Sequence, residues 1–256
     1  MRRLLDAAAG LVLGYLFLPI LVIVAYSFNS PAGKFNFVWK GFSLDAWRDP
    51  FRYPALVDAM RISIVVATVS TLVATVLGTM LALALSRYRF RGAGGVGLLL
   101  VLPLATPEVV LGSSLLSLFL AGNVPTGFAT IVIAHVMFSV SYVAFTVRAR
   151  LRGFDWSLEE AAMDLGATPW VTFLTVTLPL IAPAVGSGWL LAFTLSLDDL
   201  ILTQFVAGAQ SQTLPMRVYS SVRLGVDPQI NVLATIIVVI AASALIFSGW
   251  LTRRRA

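Results

Sequence analysis

Glu108, Asp198 and Asp199 are carboxylates set in otherwise apolar stretches, and Glu160 heads a polar interruption between two such stretches. Acids inside a lipid-spanning helix are costly and usually face a polar interior, where they could hold a cation through charge-assisted hydrogen bonds. They could equally tie helices together or serve a gate. Enzymatic chemistry finds little material. The 256 residues include no cysteine and one histidine, His135, which excludes disulfides, thiolate metal sites and the usual zinc constellations. No glycine-rich loop ending in Lys and Ser or Thr is present to cradle a nucleoside triphosphate, and the two lysines, Lys34 and Lys40, share one loop. His135 is followed by Ser139, Ser141 and Tyr142. It reads as an interhelical hydrogen-bond partner, outside the candidate site.

The polar interruption runs over residues 155–183, DWSLEEAAMDLGATPWVTFLTVTLPLIAP. Ser157 followed by Glu160 predicts a capping box opening a helix over 158–165. Leu158, Ala161, Ala162 and Leu165 would give that helix an apolar face. Gly166 would end it in the left-handed conformation. Thr168 is expected to cap a second helix with Pro169 at its first position, and Pro179 and Pro183 to punctuate the exit.

The elements that must position these residues are apolar helices. The chain is 59% hydrophobic and 12% charged, with mean hydropathy +0.91, which places it among membrane proteins. Uncharged runs cover 7–33, 62–86, 109–147, 165–197 and 228–252, against the roughly 20 apolar residues that one span needs. The run 109–147 is too long for one span, and AGNVPTG at 121–127 divides it, leaving helices over 95–120 and 128–147. Six spans result. The N-terminal run has signal-peptide features but is long and lacks an evident cleavage site, so it reads as the first span. Pro103 and Pro107 would free the carbonyls four residues earlier, those of Leu99 and Pro103, and a carboxylate, Glu108, beside such a break points to a cavity. Glu108 and the Asp198–Asp199 pair, the latter about 15 residues or roughly 22 Å along their helix from Ala184, should lie at similar depth. Adjacent helical residues point apart, so at most one of Asp198 and Asp199 should face a pathway squarely. Gly78 should let helices approach closely.

Basic residues orient the chain. Arg2, Arg3, Arg87, Arg89, Arg91, Arg148, Arg150, Arg152 and the cluster Arg253, Arg254 and Arg255 fall in alternate segments, 11 of the 18 Lys and Arg. Both termini and the 155–183 loop are therefore expected on the cytoplasmic side. The net charge of +6 follows from this bias, so it says nothing about nucleic acid or about a transported solute, and no nucleic-acid partner is expected. The outer loop over 29–57 carries Phe35, Phe37, Trp39, Phe42, Trp47, Phe51 and Tyr53, suited to the membrane interface, and Ser43 with Asp45 could start a short helix there.

Glu160-Ala161-Ala162, then Gly166, Val176 and Leu178-Pro179, resembles the EAA loop of membrane subunits of bacterial ABC importers, with Val176 in place of Ile. AFTLSLDD at 192–199, TLP at 213–215, Tyr219-Ser220, Arg223, Gly225-Val226, PQIN at 228–231, Ala234-Thr235 and Pro107-Glu108-Val109-Val110 are similar to the spermidine/putrescine type of permease, PotC-like. Gln229, where an acid is expected, and 57–60, where Asn-Ser is expected, depart from that pattern.

The resemblance implies an all-α integral membrane protein with the MetI-like type I permease fold. Residues 1–57 would be the first helix and outer loop, and 58–252 the core. It implies a coupling helix in which Glu160, Ala161, Ala162, Asp164, Leu165 and Gly166 meet an ATPase, and a substrate pathway holding Glu108, Asp198 and Asp199. Expected partners are two ATPase subunits, which would bind ATP and Mg with no cofactor in this chain, and a second, PotB-like membrane subunit. A periplasmic or lipid-anchored solute-binding protein and membrane lipids complete the set. The location implied is the bacterial inner membrane. Permeases for iron, opines, amino-acid derivatives or sulfate remain alternatives. So do an ion-coupled carrier, which gives no reason for the capped loop, and a membrane scaffold, which leaves the acids unexplained.

Overall fold

A computed structural model describes residues 2–253 apart from Ala32 and Lys34. Lys34, Arg254 and Arg255 therefore lie outside the described residues. In chain order the helices are α1 (Arg2–Tyr26), α2 (Asp45–Arg48), α3 (Pro54–Arg87), α4 (Ala93–Ala105), α5 (Glu108–Ala121), α6 (Phe128–Leu151), α7 (Ser157–Asp164) and α8 (Pro169–Thr172). A π-helical turn, Phe173–Thr177, leads into α9 (Leu178–Asp198), followed by α10 (Ile201–Val206), α11 (Leu214–Leu224) and α12 (Pro228–Arg253). Among the described residues the strand-like pairing is one antiparallel bridge, Asn29 with Phe42.

Two compact units are formed, Met1–Val57 with Arg217–Ala256, and Asp58–Met216. In the first, α1 packs against α12. Leu11 and Tyr15 of α1 are each 76% exposed, as expected of a helix apolar all round whose partner is lipid. The aromatic loop is tied by a buried Asn pair. Asn29 Nδ2 donates to Asn36 Oδ1 (2.6 Å) and to the Val38 carbonyl (2.9 Å), and the Lys40 N–H donates to Asn29 Oδ1 (2.9 Å). Phe28 stacks on Phe42 and on Trp47. The expected short helix is α2. Ser43 Oγ accepts from the Asp45 N–H at 3.0 Å. At the loop's end burial, reinforced by the Asp227 charge and hydrogen bond, pushes the Tyr53 phenol above its usual range.

In the second unit α6 is the central post. Ile131, Ala134 and Phe138 join Val66, Phe119, Leu202 and Val206 in one core cluster. Val143, Val147 and Leu151, further along α6, join Ala82, Ile181 and Ala192 in another. Small residues let the helices close up. A Cβ on Gly78 would meet Val143 Cβ at 2.8 Å and the Val140 carbonyl at 2.9 Å, as the sequence predicts for a close crossing.

Among the described residues four helices are long and apolar enough to cross a membrane: Ala8–Tyr26, Pro54–Arg87, Phe128–Leu151 and the composite Pro169–Asp198. Ala93–Ala105 and Glu108–Ala121 form a fifth if counted as one, and α12 adds an apolar helix over Pro228–Val239. The single helix expected over 95–120 is corrected here. The pair bends by 111° at Thr106 and Pro107. Pro107 has no N–H to continue the ladder, and Thr106, restricted by the proline after it, turns extended at φ −87° and ψ 133°. Thr106 Oγ1 and N–H both donate to the Leu102 carbonyl, closing α4.

Candidate functional site

The loop of residues 155–183 begins differently from the predicted capping box. Ser157 is not the cap. The first turn starts at Trp156, whose carbonyl accepts from the Glu160 N–H (3.3 Å), and Asp155 Oδ1 takes the Ser157 N–H at 3.0 Å. A carboxylate two residues upstream outcompetes the serine for the free amides at the start of the helix, and the helix opens one residue early. The Ser157 hydrogen bonds hold the exposed Asp155 carboxyl below its usual range.

The exit of α7 matches the expected ending. Gly166 sits at φ +91°. Its N–H donates to the Met163 carbonyl (2.9 Å), and the Ala167 N–H reaches back to that of Ala162 (3.1 Å), the reciprocal pair of a Schellman ending. Thr168 then caps α8, accepting from the Val171 N–H at 3.4 Å, with Pro169 at its first position. Pro179 does not interrupt α9. The turn before it widens instead, with the Leu178 N–H donating to the Phe173 carbonyl five residues back, and the helix runs on through Pro183.

The apolar face of α7 is left open. Leu158 is 45% exposed and Leu165 90% exposed. Glu160, Ala161, Asp164 and Gly166 are exposed as well, and Ala162 is half-buried. A neighbouring face holds a residue the sequence reading passed over. Glu159 is buried: its Oε2 pairs with Arg87 Nη1 at 2.7 Å, and its Oε1 accepts from Thr177 Oγ1 at 2.5 Å. Arg87, the last residue of α3, also lies over the Trp156 ring.

The membrane acids separate. Asp198 ends α9 and is exposed; Asp199 has an extended backbone and turns back on α10. Its carboxylate accepts from the N–H of Leu202 (3.3 Å) and of Thr203 (2.8 Å) and from Thr203 Oγ1 (2.5 Å). His135 Nε2 lies 3.3 Å from Asp199 Oδ2 and 2.9 Å from Thr203 Oγ1, while its Nδ1 meets Ser196 Oγ at 2.6 Å. His135 is thus the interhelical partner the sequence predicts, joining α6 to both sides of the α9–α10 break.

Glu108 is exposed and stands in the first turn of α5, where the helix macrodipole favours a negative charge. It does not lie midway along one continuous helix over 95–120, because the 111° bend intervenes. The bend still leaves Glu108 close enough to Asp198 and Asp199 for the charges to interact. Glu108 and the Asp198–Asp199 pair, distant from it in sequence, therefore lie within electrostatic reach of one another, with Glu108 and Asp198 open. No group of three or more His, Cys, Asp or Glu suited to a metal occurs among the described residues.

Comparison with known proteins joins these observations. Residues 59–255 match the family described as "Binding-protein-dependent transport system inner membrane component". The putrescine transport system permease protein PotI of Escherichia coli (strain K12) is 47% identical, covering 96% of this chain and 90% of that protein. The spermidine/putrescine transport system permease protein PotC of Haemophilus influenzae is 40% identical over 97% of this chain and 96% of that protein. In fold, the chain is similar to a chain of a bacterial alginate ABC transporter crystallised in complex with an alginate pentasaccharide-bound periplasmic protein. There the TM-score is 0.70, with 16% identity, covering 99% of this chain and 95% of that one. With its MetI-like all-helical fold, its apolar spans and a family match over most of its length, the chain belongs to the inner-membrane permease subunits of binding-protein-dependent ABC transport systems.

Proposed function

We propose that this permease subunit imports putrescine, and with it spermidine, by alternating access. The observation that carries the reading is α7: a short helix closed at both ends, with its apolar face and Leu165 bare of this chain. Burying one leucine of that size in a partner's cleft would contribute about 1.5–3 kcal/mol. A pair of ATPase subunits, holding ATP and Mg, is the occupant that fits, and Glu160, Ala161, Ala162, Asp164, Leu165 and Gly166 form the docking surface.

In this reading the chain crosses the membrane six times with both termini cytoplasmic, α4 and α5 counting as one bent span. Residues 58–252 are the transport core and 1–57 the added helix and outer loop. A periplasmic or lipid-anchored binding protein delivers solute, and a PotB-like chain supplies the other half of the pathway. Glu108 and Asp198 meet the ammonium groups of the polyamine. Asp199, already occupied, holds the helix break open beside them. The relatives named for putrescine and spermidine support the choice of solute.

Uptake of labelled putrescine at low external concentration, with and without this gene and before and after ATP depletion, tests the reading. A gene-dependent, ATP-dependent difference is expected. Uptake that survives ATP depletion would overturn it in favour of an ion-coupled carrier. Gly166→Leu adds a direct test of coupling, because a side chain is strained at φ +91°. Transport should fall while the complex still assembles; transport at the wild-type level would remove α7 from its role.

A further inference from the structure

Glu159 joins three elements at one point. Arg87 closes α3, Thr177 closes the π-helical turn that leads into α9, and Glu159 itself lies on α7. Each carboxylate oxygen has its own partner, Arg87 Nη1 on Oε2 and Thr177 Oγ1 on Oε1. Glu159 and Thr177 are buried at 3% and 1% exposure. A carboxylate committed in two directions and shielded from water resists sliding, because losing either partner leaves a buried polar group unsatisfied. The Arg87 guanidinium is braced in turn between the Trp156 ring at 5.6 Å and the Tyr88 ring at 5.7 Å. A cleft of about 380 Å³, lined by Ser86, Arg87, Trp156, Glu159, Glu160 and Met163, runs beside the pair. Within that cleft Glu160 stays exposed while its neighbour is consumed.

We propose that Glu159 is a positioning residue: it clasps α7 rigidly to the ends of α3 and α9, so that a displacement of α7 is delivered to both long helices together. The proposal rests on the reading of α7 as the helix that meets the ATPase. It assigns Glu160 to the outside partner and Glu159 to transmission within this chain. Bistable switching needs such a stiff connection, since a loop free to pivot would absorb the motion.

This chain has no cysteine, so paired spin labels can be placed on it with no background of its own, in a complex whose partner subunits are made cysteine-free. Ser157→Cys on α7 and Arg89→Cys just beyond α3 report the distance across the clasp in the full complex with its ATPase and second membrane subunit. The distance should be narrow and the same with and without ATP. Glu159→Gln should broaden it and make it track the nucleotide, and putrescine moved per ATP hydrolysed should fall about tenfold, within the range found for residues along a coupling network. Thr177→Val should act in the same direction and less. The charge swap Arg87→Glu with Glu159→Arg should restore the narrow distance, which a purely structural loss would not allow.

A distance in the unsubstituted background that shifts with ATP, or a Glu159→Gln complex with unchanged distance and transport, overturns the clasp. Failure of the reading beneath it looks different. Leu165→Asp should then leave the ATPase co-purifying at the wild-type level. If Leu165→Asp releases the ATPase and Glu159→Gln still transports normally, the clasp alone is wrong.

Discussion

Twice the chain sets two carboxylates side by side, Glu159 with Glu160 on α7 and Asp198 with Asp199 at the end of α9, and each time the protein takes up one and leaves the other open. The separations have different causes. On α7 the helix is regular, and neighbouring residues diverge by about 100°, so one acid turns to Arg87 and Thr177 while the next faces out. At Asp198–Asp199 the helix stops. Asp199 leaves the helical conformation, ψ 122°, and its carboxylate swings onto the free amides of α10. The first pair is divided by periodicity and the second by termination. In both, the acid adopted by the fold organises helices, and the acid left open is available to something else.

Replacing the adopted acids should separate them from their neighbours most clearly. Asp199→Ala strands two α10 amides, the Thr203 hydroxyl and His135 in a buried place, and should cost about 3 kcal/mol or more, read as a fall in thermal unfolding temperature in detergent. Asp199→Asn keeps an acceptor and should cost about 1–2 kcal/mol by the same measurement. Asp198→Asn and Glu160→Gln should leave unfolding within about 0.5 kcal/mol of wild type. Their effects should show instead in putrescine uptake and in ATPase co-purification, respectively. A large stability loss in either would collapse the comparison.

The smallest effect belongs to Asp155. Its carboxyl titrates below its ordinary value because Ser157 hydrogen-bonds it. A depressed folded value means that its cap is fully present above the unfolded value of 3.8 and is lost as pH falls through the folded one. The mobility of a spin label on α7 placed away from Ser157 should therefore be constant at neutral pH and rise slightly only in that acid window. Asp155→Asn should flatten the response.

Legibility in the sequence depended on range. Gly166 and Thr168-Pro169 were readable because the demands on them are local: a left-handed residue, a hydroxyl acceptor, a missing N–H. The capping box failed on the same scale, since Asp155 and Ser157 compete for one set of amides and no spacing rule ranks them. Pro103 and Pro107 announced a break but not its 111° angle, which depends on what packs on either side. The burial of Glu159 was invisible. Its signals are an acid beside the motif and an arginine at the end of a distant span, and only tertiary packing brings them together. His135 was read in its true role, though its link to Asp199 was not.

The π-helical turn at Phe173–Thr177 is also a phase shifter. One extra residue in a turn rotates everything beyond it by about 100° relative to a plain α-helix. The stripe Ile181, Gly188, Ala192 and Ser196, now buried, depends on that offset, as does the direction in which Thr177 presents its hydroxyl. Deleting a single residue there would straighten the winding and turn the stripe away from the core. The widened turn lets two surfaces with incommensurate azimuths, one set by the loop and one by the membrane bundle, share a single unbroken rod.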